Sequence, residues 1–297
     1  MLTLVLTLTS LAVLVRIIAN PLANVFQKQL TQQQAEPTFV TAATYGFLSL
    51  VCLVFWREIE LSQLPIAFWG NDLLVSVLAV LGNVLLVKAL HKGDLSVLGP
   101  INAYKSVVSL LFGLFLLQEI PSVPGLLGVG LTVIGSYVVL GTGSGPKASL
   151  AGLWQQPEIR WRLAALLCSA VEAVFIKRAM LHSSPLTTFV FWCLLGFALS
   201  LLWLAGAGPA RWKAQGLVLL RQRKTYLALF VAVGLMQFST NLAFGGTQVG
   251  YALALFQISA LLSVLFGYQF FNEKQIVRKL IGAAIMVTGA VFIVLFQ

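Results

Sequence analysis

Along this chain, long apolar runs alternate with short clusters of charged residues, glycine and proline. Ten such runs lie near residues 5–30, 38–56, 72–90, 95–118, 123–141, 161–180, 185–205, 225–244, 250–271 and 277–296. Most approach the roughly 20 residues that a helix needs to cross about 30 Å of hydrocarbon. Stretches such as VSVLAVLGNVLLV and IGAAIMVTGAVFIVLF are apolar throughout, whereas a membrane barrel would alternate polar and apolar positions. The pattern therefore predicts an all-α integral membrane protein of ten transmembrane helices. Trp56, Trp69, Trp161 and Trp203 fall near predicted span ends, where amphipathic indoles favour the headgroup level. The longest connections are Gly141–Arg160, rich in Gly, Ser and Lys, and the strongly basic Gly206–Lys224. The opening MLTLVLTLTSLAVLV lacks a basic leading segment and a small-residue cleavage site, so it reads as the first span and not a removable signal peptide.

Sliding the chain against itself by 154 residues reveals an internal repeat. Ala89 then pairs with Ala243, Ser109 with Ser263, Phe112-Gly113 with Phe266-Gly267, Glu119 with Glu273, Gly128 with Gly282 and Gly135 with Gly289. A weaker match, shifted by about 148, relates Val25-Phe26 and Lys28 to Val174-Phe175 and Lys177, and Pro37 to Pro185. Two halves follow, 1–145 and 146–297. Each holds five predicted spans, an odd number, so the second copy enters the membrane from the opposite side. Inverted copies are a usual basis of alternating access around a site at the bilayer midplane.

Composition agrees with this picture and removes other classes. Hydrophobic residues make up 59% of the 297 and charged ones only 9%, against about 25% charged in soluble domains. The formal charge of +10 does not imply nucleic acid, because the basic residues lie mostly in inter-span loops and not on one polar face. Loops after spans 1, 3, 5, 7 and 9 carry most of the Lys and Arg, and those after spans 2, 4, 6 and 8 only Arg57, Lys177 and Arg178. By the positive-inside rule both termini then lie outside the cytoplasm. Cys52, Cys168 and Cys193 sit inside apolar runs without metal-ligand spacing and read as small core residues. No HExxH, paired DxxD or phosphate-binding loop is present, and His91 and His182 stand at loop edges. No catalytic residue, metal or cofactor is therefore expected.

Three stretches carry a resemblance. ALHKGDLSVLGPINAYKSVVSLLFGLFLLQEIPSVPGLLGVGLTVIGSYVVL and its copy ending VLFGYQFFNEKQIVRKLIGAAIMVTGAVFIVLF resemble the fourth and fifth spans of EamA-type members of the drug/metabolite transporter superfamily. EAVFIKRAMLHSSPLTTFVFWCLLGFALSLL is similar to the opening of an EamA half. The resemblance implies a five-plus-five inverted repeat, a central cavity lined by spans 1, 3, 4, 6, 8 and 9, and transport of amino acids, other small metabolites or drugs. It also implies termini inside the cytoplasm, opposite to the charge count. Gln118-Glu119 and Asn272-Glu273 stand where the family often has Gly-Glu, and Lys105 lies in a span usually free of lysine.

Lys105 falls about 15 Å into span four, near the midplane. An unpartnered charge there costs about 2.5–3.5 kcal/mol even on permissive scales, so it should face a cavity or an acid. Asn102, Lys105, Ser109 and Gly113 share one helical face. Lys105 either binds an anionic group of a solute or pairs internally. Glu172, near the middle of span six, reads as the only acid well inside a span; it serves as proton acceptor, cation site or partner to Lys105, Lys88 or Arg16. Arg16 and Lys88 lie near enough to span ends to snorkel. Asn20-Pro21 and Asn24 are predicted to break span one and expose carbonyls to a cavity.

Asn83, Gln237, Asn241 and Gln257 fall in spans three, eight and nine, and Asn83 matches Gln237 in the repeat. They predict either one shared pocket or interhelical hydrogen bonds of about 0.6 kcal/mol each. Tyr104 and Tyr251 read as packing residues. The pairs Ser109/Gly113 with Ser263/Gly267, and Gly128/Gly135 with Gly282/Gly289, predict close helix contacts. Glu119 and Glu273, at span ends, are expected to cap or orient the adjacent turn. Together these readings predict a monomeric secondary carrier in the lipid bilayer of a bacterial inner membrane. Its expected substrate is a small zwitterionic or anionic metabolite, since Arg16, Lys88 and Lys105 outnumber Glu172. A passive channel, an accessory subunit or an intramembrane enzyme are the alternatives.

Overall fold

A computed structural model describes residues 2–112, 122–140, 155–206 and 209–296, which form helices and no strand. The first half contains α1 (Leu2–Gln32), α2 (Pro37–Cys52), α3 (Ile66–Lys92), α4 (Leu95–Leu98), α5 (Tyr104–Phe112) and α6 (Val123–Leu140). The second contains α7 (Pro157–Met180), α8 (Pro185–Ala205), α9 (Pro209–Arg221), α10 (Arg223–Gly246), α11 (Val249–Phe256), α12 (Ser259–Phe271) and α13 (Ile276–Leu295). Eight helical stretches among the described residues are long and apolar enough to cross a membrane. Gly113 and Glu119, and the side chain of Ser109, lie outside what is described.

Several elements differ from expectation. α1 runs unbroken through Asn20-Pro21: a proline removes one backbone donor, and the buried Ala19, Ala23, Val25 and Leu30 hold the helix across the gap. α3 begins at Ile66, before the predicted 72, because the Asn71 amide donates back to the Ala67 carbonyl at 2.7 Å and lets the turn continue. Spans four and nine are each interrupted. In span four a 3-10 turn, Pro100–Ala103, separates α4 from α5, as befits a proline without a donor N–H. In span nine the break falls at Gln257 and Ile258, whose amides donate to Ala254 and Leu255, the short bonds of a 3-10 turn. The basic connection after α8 is also helical. There α9 is anchored by buried Gln215, which accepts from the Glu36 amide at 2.9 Å and donates to the Gln34 carbonyl at 3.2 Å.

Helix pairing follows small residues. α1 packs on α10, α3 on α7, α2 on α8, α4 on α12 and α6 on α13. The α6–α13 seam brings the two glycine pairs face to face: a Cβ on Gly128 would stand 2.6 Å from the Gly289 carbonyl, and one on Gly135 2.7 Å from that of Gly282. Ser263 and Gly267 lie against Gly99 and Ser96 at the start of span four. The seam has no room for a side chain, and overpacking costs about 1–3 kcal/mol or more. Gly135→Val is expected to lower the thermal midpoint of the purified protein, while the same change at Gly130, where a Cβ meets nothing within 4 Å, leaves it nearly unchanged.

Candidate functional site

The interrupted helices and the polar faces of their neighbours enclose a cavity of about 140 Å³. Arg16, Asn20, Asn24 and Gln27 follow three- and four-residue steps on α1, which turns all four to one side. Arg162, Ser169 and Glu172 do the same on α7. Asn83 comes from α3, Lys105 from α5, Asn102 from the 3-10 turn, and Gln237 and Thr240 from α10. All of them line the cavity, with Tyr45 and Trp192 completing the wall.

Each polar group is held by a distinct contact. The Arg16 Nε donates to Thr240 Oγ1 at 2.8 Å, its guanidinium lies 5.0 Å from the Phe256 ring centre, and its Nη1 is buried without a partner. Gln27 Nε2 donates to Asn83 Oδ1 at 2.9 Å, and Asn83 Nδ2 to Thr41 Oγ1 at 3.0 Å. Asn20 Nδ2 reaches Ser259 Oγ at 3.4 Å. Arg162 donates to the Leu98 carbonyl at 2.8 Å and to Asn102 Oδ1 at 3.0 Å, which satisfies backbone freed where span four breaks. Glu172 accepts from Trp192 Nε1 at 3.3 Å. Lys105 is only 8% exposed, yet among the described residues it has neither a hydrogen bond nor an ion pair within 4.0 Å.

Thus Lys105, Asn102, Asn20, Asn24, Asn83, Gln237 and Glu172 are brought together, and Lys88, Asn241 and Gln257 are not. Lys88 is half-buried away from the lining. Asn241 accepts from Gln237 Nε2 and donates to the Pro185 carbonyl, both at 3.2 Å, so it ties α10 to the first turn of α8. Gln257 is fully buried in the break of span nine, with both amide atoms unpartnered. Glu172 has no cation within 4.0 Å among the described residues, but lies within electrostatic reach of Lys105 and Arg16 across the cavity. Nor is it the only deep acid, because the early start of α3 buries Asp72 completely. Arg162 was missed as a wall residue; its signal is the spacing of Arg162, Ser169 and Glu172 along one face of α7.

A second buried polar cluster ties the halves together at one end. α12 stops at Asn272, which adopts left-handed backbone (φ 51°), a conformation suited to Gly or Asn; this explains Asn where glycine is usual. The turn delivers Glu273 to α4, where it accepts from the Leu95 and Ser96 amides at 2.7 and 2.8 Å and from the Ser96 hydroxyl. Lys28 Nζ meets it at 2.8 Å and also donates to the Gly93 carbonyl at 2.9 Å. Lys279 pairs with Asp94 at 3.1 Å alongside. Glu273 therefore caps a turn, though one on the other half. Burial alone would push its carboxyl up, but Lys28 and the Ser96 donors outweigh this and hold it below the ordinary carboxylate value.

Comparison with known proteins fits this architecture. A solved crystal structure superimposes with a TM-score of 0.61 at 18% identity, covering 95% of this chain and 96% of that one, which shows a shared fold. An uncharacterized protein of Methanocaldococcus jannaschii is 27% identical over 88 residues, a match that spans 30% of this chain and 63% of that protein. The model of the EamA-like transporter family matches twice, over residues 7–141 and again over 157–295. A multi-pass membrane protein whose two halves each match that model belongs to the EamA-like transporter family.

Proposed function

We propose that this protein is a secondary carrier that moves a small zwitterionic or anionic metabolite by alternating access, in a bacterial inner membrane. One observation carries the charge preference: Lys105 lines the cavity, buried, with neither a hydrogen bond nor an ion pair within 4.0 Å among the described residues. An ammonium buried at that depth needs a counter-charge, and a solute carboxylate or similar anion supplies it. Arg16, with its free Nη1, and Arg162 add positive charge to the same wall, against the single carboxyl of Glu172. A zwitterion fits best, its anionic end toward Lys105 and its cationic end toward Glu172.

The reading places ten helices in two inverted halves, 1–145 and 146–297. Its support is the pairing pattern. Exchanging each element for its repeat mate turns the α1–α10 contact into the α3–α7 contact and the α4–α12 contact into the α5–α11 contact, and leaves the α2–α8 and α6–α13 contacts unchanged. The breaks of spans four and nine also overlap under the 154-residue shift, where Ala103 matches Gln257 and Lys105 matches Ser259. The basic loops favour termini outside the cytoplasm, which a reporter fused after Gln297 tests.

The decisive experiment is thermal-shift screening of the purified protein against amino acids and organic acids, because a ligand of the folded state raises its apparent stability. Uptake of each hit into proteoliposomes follows. Saturable, competable uptake is expected; flux linear in concentration would indicate a channel, and chemical conversion an enzyme. Glu172→Gln is expected to weaken uptake of a zwitterion and to flatten the pH dependence of the uptake that remains. An unaltered pH profile would remove Glu172 from coupling.

A further inference from the structure

Outside the cavity, one fully buried acid among the described residues lacks any role in the carrier reading. Asp72 is 0% exposed, and neither carboxylate oxygen has a hydrogen-bond partner. Its own turn offers only Ser76, one turn along the same face, whose hydroxyl is also buried and unpartnered. The titratable groups that face it from packed elements are thiols: Cys52 of α2 and Cys193 of α8 are free thiols that neighbour each other, and Cys193 lies within electrostatic reach of Asp72. Ser49, one turn before Cys52, contributes a second unpartnered hydroxyl. No cation from α1, α4 or α7 pairs with Asp72 among the described residues. Phe68, Trp69 and Phe191 pack edge to face one turn nearer the start of α3 and close that end. A bare carboxylate in such a setting would cost many kcal/mol by Born solvation, so the group must bind a positive ion or a proton.

We propose that Asp72 is a proton-binding site of this protein, separate from the solute cavity and communicating with it. The path is laid out on two helices. On α3 the face of Asp72 and Ser76 continues to Ala79 and Asn83, both in the cavity wall; on α2 the face of Cys52 and Ser49 continues to Tyr45, also in the wall. Tyr45 neighbours Trp192 at 4.6 Å between ring centres, and Trp192 donates to Glu172. Polar side chains thus recur along one face of α2 and one face of α3 between the cavity wall and Asp72. A proton fits better than a metal ion, because the flanking sulfurs are soft ligands unsuited to sodium or calcium.

The chain has only two aspartates, Asp72 and Asp94, and the Asp94 side chain is 55% exposed and paired with Lys279. Carboxyl-¹³C labelling of aspartate therefore isolates Asp72 in the infrared spectrum of the intact protein in lipid nanodiscs, with no mutation required. The expected result is a labelled carbonyl band of a protonated acid at neutral pH in sodium-free and sodium-containing buffer alike. The band should shift on transfer to deuterated water and vanish in Asp72→Asn. Only carboxylate bands at neutral pH would overturn the proposal, as would a protonated band that never exchanges deuterium or one abolished by sodium. The readout needs no solute, so it stands apart from the carrier reading: exchange without any metabolite uptake would refute the carrier and leave the proton site in place.

Discussion

Lys105→Gln is expected to abolish solute binding while the protein folds normally. Truncating one partner of a buried charge pair costs about 2–5 kcal/mol, roughly a 30- to 4,000-fold loss of affinity. The same change breaks no hydrogen bond or close ion pair, because Lys105 makes neither among the described residues. Its own burial, at 8% exposure, is a cost relieved by a neutral amide. Affinity and stability should therefore move in opposite directions: no ligand-induced thermal shift, and an apo midpoint equal to or above that of the native protein. Lys105→Arg keeps the charge but exchanges a compact ammonium for a planar fork, so partial binding with altered preference among anions is expected. Uptake by Lys105→Gln at the native rate would show that the anionic group does not sit there.

How far the sequence alone reached depends on what kind of signal each feature leaves. Gly128, Gly135, Gly282 and Gly289 were legible because close packing demands a missing side chain at a fixed spacing, and spacing survives in one dimension. Lys105 and Glu172 were legible because a charge in an apolar run is rare enough to stand out. The break at Gln257 left no such mark: YALALFQISALL carries no proline, and its interruption is visible only from its backbone bonds. Asp72 was hidden by its position at the edge of the hydrophobic run, where hydropathy starts the span at residue 72 and so places its carboxylate at the span end, not about a turn and a half inside the helix. Asn241 shows the opposite failure. An amide inside a span looks the same whether it meets a solute or, as here, the Pro185 carbonyl. Partners supplied by the repeat mate, such as α4 for Glu273, have no local signature at all.

Glu273→Ala is expected to be the most destabilising single change outside the cavity. The carboxylate receives Lys28, two backbone amides and a hydroxyl, and the paired side chains are only 7% and 4% exposed. Removing one member of a buried ion pair costs about 3–5 kcal/mol because the other is left charged and unpaired. At roughly 2–4 °C per kcal/mol, the thermal midpoint should fall by about 6–20 °C. Lys28→Met combined with Glu273→Gln should recover most of that loss, since no orphaned charge remains and the amide oxygen still accepts from Leu95 and Ser96. The pH dependence has a definite sign. A carboxyl held below its ordinary value stabilises the fold fully above the unfolded-chain pKa of about 4.3, and loses that contribution as pH falls through its lower folded value. The native protein should therefore lose stability more steeply below about pH 4 than the double variant does. Parallel melting curves for the two proteins across that acid range would show that Glu273 is not the group the ion pair protects.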